Sequence, residues 1–316
     1  MKQENYPKSI KKFFLALTSN RIKNFLSFIL IGIVISLLVF SLINQKEILK
    51  TIEWAINFKY LFLTIGTYLF ALYIIFFAWY LMMKQLGYKE KIKHHLLVFS
   101  KSIVARRIPL PIWFVGSRFY FYKNSEDQKS KIATATVFEI MLSGLSGLLF
   151  FFIIAAIYFS KFFIWVFLVI YLFLLILVFN SKKLQLIIMK LIKKIFYRES
   201  ILNSIPTLDI WKWFLLYEIS WILAGFTFFF GIKAVIFIEL NLVFILLISA
   251  ISGLVGFFSM LLPAGFGLKE ITAGLLLTQS FPFGVGLLLG IINRFFTTVV
   301  EVLWSLTIMI IHRNNP

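Results

Sequence analysis

Residues 132–159 read IATATVFEIMLSGLSGLLFFFIIAAIYF, with Glu139 as the one charge in the run. About 18 apolar residues in succession are enough to cross the hydrocarbon layer as a helix. In lipid the backbone must satisfy its own hydrogen bonds, which leaves helices or closed barrels as spanning structures. The run is too long for a barrel strand, so it predicts a transmembrane helix. A carboxylate in its interior costs about 3 kcal/mol on insertion scales, so Glu139 should face protein or water, or be protonated. Ser143 and Gly147 follow at four-residue steps and offer a small face for a neighbouring helix.

Comparable runs occupy about 25–43, 60–82, 162–179, 210–231, 240–262 and 283–311. The break at Ser160-Lys161 makes 132–159 and 162–179 an antiparallel hairpin. The fold class that follows is an all-α integral membrane protein of about seven to eight transmembrane helices, one or two of them re-entrant or broken. Composition agrees: 61% of the 316 residues are hydrophobic and 14% are charged, against roughly 25% charged in soluble domains. The expected organisation is a basic N-terminal segment, 1–24, followed by one polytopic domain, 25–312.

The formal net charge of +19 does not point to nucleic acid, because Lys and Arg sit between the apolar runs. There they retain loops in the cytoplasm and meet anionic headgroups. Residues 1–24 carry Lys2, Lys8, Lys11, Lys12, Arg21 and Lys23 against Glu4, and residues 83–131 hold eleven basic side chains. The loop between them is mixed in charge, so the N-terminus is expected in the cytoplasm of a multi-pass cell-membrane protein. The first apolar run lacks a small-residue cleavage site and reads as a retained span. Residues 182–198, KKLQLIIMKLIKKIFYR, fit two readings: a basic amphipathic helix at the cytoplasmic interface, or a plain retention signal. There is no cysteine, and His94, His95 and His312 do not form a zinc-ligand set, so neither metal nor cofactor is expected.

Two segments break the hydropathy pattern. The first is ARRIPLPIWFVGSRFYFYK, 105–123. Pro109 and Pro111 cannot both sit inside a regular helix, and the segment is too apolar for an ordinary loop. Irregular backbone at membrane depth must be buried in protein or line a wet cavity. Arg106, Arg107 and Arg118 would then surround a non-helical element with Gly116 inside it and Trp113 at the interface. Their guanidinium forks suit phosphate oxygens, and retention arginines on a cytoplasmic loop are the plainer reading. The second is SMLLPAGFGLKE, 259–270. Pro263 stops a helix, Gly265 and Gly267 permit unusual backbone, and Lys269 and Glu270 open a short apolar helix. Discontinuous helices of this kind build midplane sites in transporters, although a tight turn between spans fits as well. The broken element is assigned to 263–281, with a re-entrant half-helix preferred because 270–281 is too short to span. The side of the C-terminus stays open.

Gly286, Gly290, Arg294, Thr298 and Glu301 recur every three or four residues and form one small, polar stripe. The Gly286/Gly290 pair could serve internal packing or dimerisation. Arg294 is the natural partner of Glu139 or Glu270, while Glu301 lies two turns, about 10 Å, away. Glu218 is a further charge inside a span. Phosphate-binding loops, dinucleotide fingerprints, zinc motifs and nucleophile elbows are missing from the sequence, so no enzyme activity is expected.

At the two broken segments the chain resembles the transmembrane region of lysylphosphatidylglycerol synthases and its stand-alone flippase-like relatives. Members show a Pro-Gly element ending in Gly-Arg, then Leu-Pro-Gly-Gly-x-Gly-x-(Arg/Lys)-Glu, then an intramembrane Arg about two dozen residues on. Here these read IPLPIWFVGSRFYFYK, LLPAGFGLKE and Arg294. Leu110-Pro111 stands where Pro-Gly is usual, and Ala264 replaces a Gly. The resemblance covers about residues 20–312. The bifunctional synthases add a soluble aminoacyl-transferase domain, whereas this chain stops five residues after Ile311. The resemblance therefore implies lipid translocation and not lipid aminoacylation.

The function expected is translocation of a polar or anionic lipid headgroup, on a phospholipid or a polyprenyl-phosphate lipid. Its cavity would be lined by Arg118, Lys269 and Arg294 and balanced by Glu139 and Glu270, with Arg106, Arg107, Trp113 and Glu301 contributing. The competing expectation is a non-transporting partner of a glycosyltransferase or cell-envelope enzyme, with residues 83–131 and 182–198 as contact surfaces.

Overall fold

The computed structural model describes residues 52–105, 112–122, 126–159, 206–259 and 267–314, with scattered positions between 36 and 50 and between 165 and 176. The elements are α1 (Phe58–Gln85), α2 (Ile92–Ala105), α3 (Ile112–Phe121), α4 (Glu126–Tyr158), α5 (Thr207–Lys233), α6 (Leu242–Ser259), α7 (Leu268–Leu276), a 3₁₀ turn (Leu277–Gln279) and α8 (Phe283–Asn314). Among the described residues five helices are long and apolar enough to cross a membrane: α1, α4, α5, α6 and α8. The all-helical membrane fold is therefore present, and the described residues account for five of the seven to eight helices expected. The expected spans at 25–43 and 162–179 fall largely outside the described residues. The segments 1–24 and 182–198 fall wholly outside them.

Large apolar side chains cover the outer faces of the spans, among them Phe62, Phe70 and Phe77 on α1 and Leu303, Leu306 and Ile310 on α8. In water such a surface would drive association, whereas lipid tails match it. Polar atoms within the spans mostly bond locally. Thr64 and Thr136, for example, donate to the carbonyls four residues earlier.

Cross-helix contacts fix the directions. Tyr68 and Tyr73 of α1 meet Glu301 and Trp304 of α8 in the same order, so these helices run parallel. Thr67 meets Thr227 and Tyr60 stacks on Phe230, so α5 opposes α1. Phe138 packs on Trp213, and the Trp221 indole donates to the Ser143 carbonyl, so α4 runs with α5. Tyr158 of α4 stacks on Phe244, near the start of α6, so α6 opposes α4. Consequently α8 ends on the side where α1 ends, beside Lys84, Lys89, Lys91 and Lys93. The C-terminal turn, with His312 and Arg313, lies on this basic side.

These directions correct two expectations. Both α6 and α8 run toward the basic side, so α7 and its 3₁₀ turn carry the chain back to the opposite side. Helix α7 runs antiparallel to α8, with Glu270 against Gly290 and Gly274 against Gly286, instead of turning back as the re-entrant half-helix expected at 263–281, of which 263–266 lie outside the described residues. The second correction concerns the basic stretch 83–131, expected as a loop with a non-helical element at 105–123. It contains α2 and α3. Tyr80 and Phe76 of α1 meet His95 and Phe99 of α2 in reverse order, so α2 climbs into the bundle from the basic side. Helix α3 brings the chain back, leaving Tyr122 beside His95. Helix α3 begins at Ile112, and Pro109 and Pro111 lie outside the described residues. The dip from the basic side is therefore helical on both limbs.

Candidate functional site

Charged side chains meet at two separate stations. At the first, Arg118 of α3 donates from Nη1 and Nη2 to the two carboxylate oxygens of Glu139 on α4, the second bond being 3.1 Å. The guanidinium lies 3.7 Å from the centre of the Trp79 ring. Arg118 is wholly buried and Glu139 nearly so. A bidentate pair with an aromatic lid is the arrangement that makes a buried ion pair tolerable, because both charges keep directional partners. Trp79 Nε1 donates to the Tyr122 hydroxyl at 3.0 Å, and that hydroxyl lies 2.8 Å from His95 Nδ1. Burial, and then the neighbouring His94, lowers the His95 pKa to about 4, so the ring is neutral. Burial together with Glu90 raises Tyr88 to about 12. This station locks the α2–α3 dip to α1 and α4.

At the second station Arg294 of α8 donates from Nη1 to Glu270 Oε1 of α7 at 2.8 Å. Glu270 is buried, and its Oε2 has no hydrogen-bond partner. The Arg294 side chain keeps 31% of its surface exposed. Arg294 is 11 residues into the 32-residue α8, about 16 Å along the helix and well inside its apolar run. The helices approach closely because the contact residues are glycines. A Cβ on Gly286 would sit 2.9 Å from the Gly274 carbonyl, and one on Gly290 would sit 3.4 Å from the Glu270 backbone. Gly267, with φ +93, caps α7 in the left-handed region that favours glycine. Lys269, one position before Glu270, turns about 100° away. Its stem lies against Gly256 of α6, 3.2–3.6 Å from a Cβ there, and the residue is exposed.

The residues expected in one cavity are therefore divided. Glu270 and Arg294 meet, Lys269 lies beside them on the α6 face, and Glu139 pairs with Arg118 instead of with Arg294. Arg118 stacks near Phe99, which packs on Trp304. Trp304 is ten residues, about 15 Å, beyond Arg294 along α8. Glu301 is wholly buried and accepts a hydrogen bond from Tyr68. Gly116 lies within α3, as does Trp113, whose side chain is outside the described residues together with Arg106, Arg107, Pro109, Pro111, Pro263 and Gly265. Trp79, His95, Tyr122 and Tyr68 carried no sequence signal, because each partners a helix remote in the chain. Among the described residues no cluster of acidic, His or Cys side chains could hold a metal ion.

Residues 29–305, which include both stations, match the family model described as the lysylphosphatidylglycerol synthase TM region. Neither curated proteins nor solved structures gave a match.

Proposed function

This chain belongs to the family of the lysylphosphatidylglycerol synthase transmembrane region, and from that membership and the second station we propose that it translocates lipids with a polar or anionic headgroup. The observation that carries the reading is an intramembrane Arg294–Glu270 pair in which the cation is 31% exposed and the anion keeps one oxygen unpartnered. A headgroup phosphate can take the guanidinium fork as Glu270 releases it. The second Glu270 oxygen can accept a hydrogen bond from a headgroup hydroxyl or ammonium. Lys269, on the α6 side, extends the positive surface, and the tails stay in the bilayer. The exchange swaps ion pairs and makes or breaks no covalent bond, so the role is transport and not catalysis, with no cofactor. The Arg118–Glu139 station anchors the α2–α3 dip against which α7 moves.

The test is reconstitution of the purified chain into vesicles with fluorescent anionic phospholipids or a prenyl-phosphate-linked sugar. Wild type is expected to equilibrate the probe between leaflets, and Arg294→Ala to lose that activity. If wild type moves neither class faster than protein-free vesicles, the reading fails for those lipids.

A further inference from the structure

Glu218 of α5 is 8% exposed, and neither carboxylate oxygen has a hydrogen-bond partner. It lies 11 residues into α5, about 16 Å from the start of that helix and near the middle of the hydrocarbon layer. One turn further on, the packing is tight. The Trp221 indole fills the space beside Gly147 of α4 and Gly253 of α6, where added Cβ atoms would sit 2.5 and 2.7 Å from it.

Among the described residues, the charged and titratable groups on the middle turns of the helices packed against α5 are engaged elsewhere. On α4, Glu139 pairs with Arg118. On α1, Tyr73 packs on Trp304 and Tyr80 on His95. On α8, Arg294 pairs with Glu270 and Glu301 with Tyr68. Helix α6 has no ionisable residue between Leu242 and Ser259. On α5 itself Lys212 pairs with Asp209, Lys233 lies over Tyr60 and Phe229, and the neighbouring Tyr217 is within electrostatic reach of Glu139 and Arg118. An ionised carboxylate with no cation and no donor is the most expensive state open to this group, and binding a proton removes the cost.

We propose that Glu218 is a proton-binding site of the membrane domain, holding its proton while α4, α5 and α6 are packed as seen here. It releases that proton to water when α5 parts from α4 and α6. The proton adds to one Glu218 oxygen from water on one side and leaves to water on the other, so nothing else is consumed. Coupling of this cycle to lipid movement rests on the translocator reading. Proton binding does not.

Infrared difference spectroscopy on the full chain in lipid nanodiscs reads the protonation state. Wild type is expected to show a protonated-carboxyl band at neutral pH that Glu218→Gln, nearly isosteric and uncharged, removes. A spectrum that Glu218→Gln leaves unchanged would overturn the proposal. In vesicles with a fluorescent anionic phospholipid, an imposed pH gradient is expected to alter the wild-type rate, with the response lost in Glu218→Gln. Equal responses in both proteins would overturn the coupling. A wild type that moves no lipid overturns the translocator reading, and the infrared result still decides the proton site.

Discussion

Arg294 on α8 reaches Glu270 on α7 across 2.8 Å, and Gly286, about two turns before it, is what lets the two backbones meet. The glycines of this seam are not equivalent. A methyl on Gly286 would press on the Gly274 carbonyl and on Leu277 Cβ, each at 2.9 Å. At Gly290 it would meet ordinary contacts of 3.4–3.6 Å. Gly286→Ala is therefore expected to destabilise by about 1–3 kcal/mol through overpacking, and Gly290→Ala to be nearly neutral. Thermal unfolding of the two variants in one detergent checks this. Equal midpoints would contradict the packing.

The Arg118–Glu139 pair calls for a different experiment. Removing either partner leaves the other charge buried alone, so Arg118→Ala or Glu139→Ala is expected to cost about 3–5 kcal/mol. Replacing both with apolar residues of similar volume is expected to cost much less. Arg118→Lys does not rescue, because an ammonium cannot fork onto both oxygens while lying flat on Trp79. Denaturation midpoints of the two single variants and the double variant form the cycle.

His95 gives a pH dependence with a defined sign. Its folded pKa of about 4 lies below the ordinary 6.5, so between those values the unfolded chain binds the extra proton. Stability is therefore full above about pH 6.5, falls as pH drops toward about 4, and levels off below. His95→Gln keeps a group able to bond Tyr122 but does not titrate, and should flatten that slope. Unfolding midpoints at a series of pH values report it.

The chain has no cysteine, so single cysteines can report sidedness without background. Lys89→Cys and Asn314→Cys are expected to react with an impermeant thiol reagent from one side of the membrane. Glu239→Cys, in the α5–α6 connection, is expected to react from the other. Labelling of Asn314→Cys together with Glu239→Cys would mean that α8 does not run parallel to α1.

Hydropathy made the spans legible because lipid requires long apolar runs, and α1, α4, α5, α6 and α8 all coincide with such runs. Glu270 and Arg294 stood out for the same reason, as charges where lipid tolerates few. Their pairing could be narrowed to two choices and no further, because the choice depends on which helices touch. Helices α2 and α3 were hidden by their composition. Basic residues and prolines read as loop, while the burial of Arg118 under Trp79 depends on a fold-back that leaves no periodic trace. Lys269 and Arg118 were grouped with Arg294 on charge alone. Direction along each helix, set by packing, separates Arg118 from that group by about ten residues of α8.

The decisive measurement follows a fluorescent anionic lipid in vesicles by its accessibility to an impermeant quencher. Wild type, Arg294→Ala and the double apolar replacement of Arg118 and Glu139 are compared at equal protein density. Quenching beyond the outer leaflet is expected with wild type and with the double replacement, and loss of it with folded Arg294→Ala. Wild-type quenching that stops at the outer leaflet, or an Arg294→Ala variant as active as wild type, would contradict a headgroup path through the Arg294–Glu270 station.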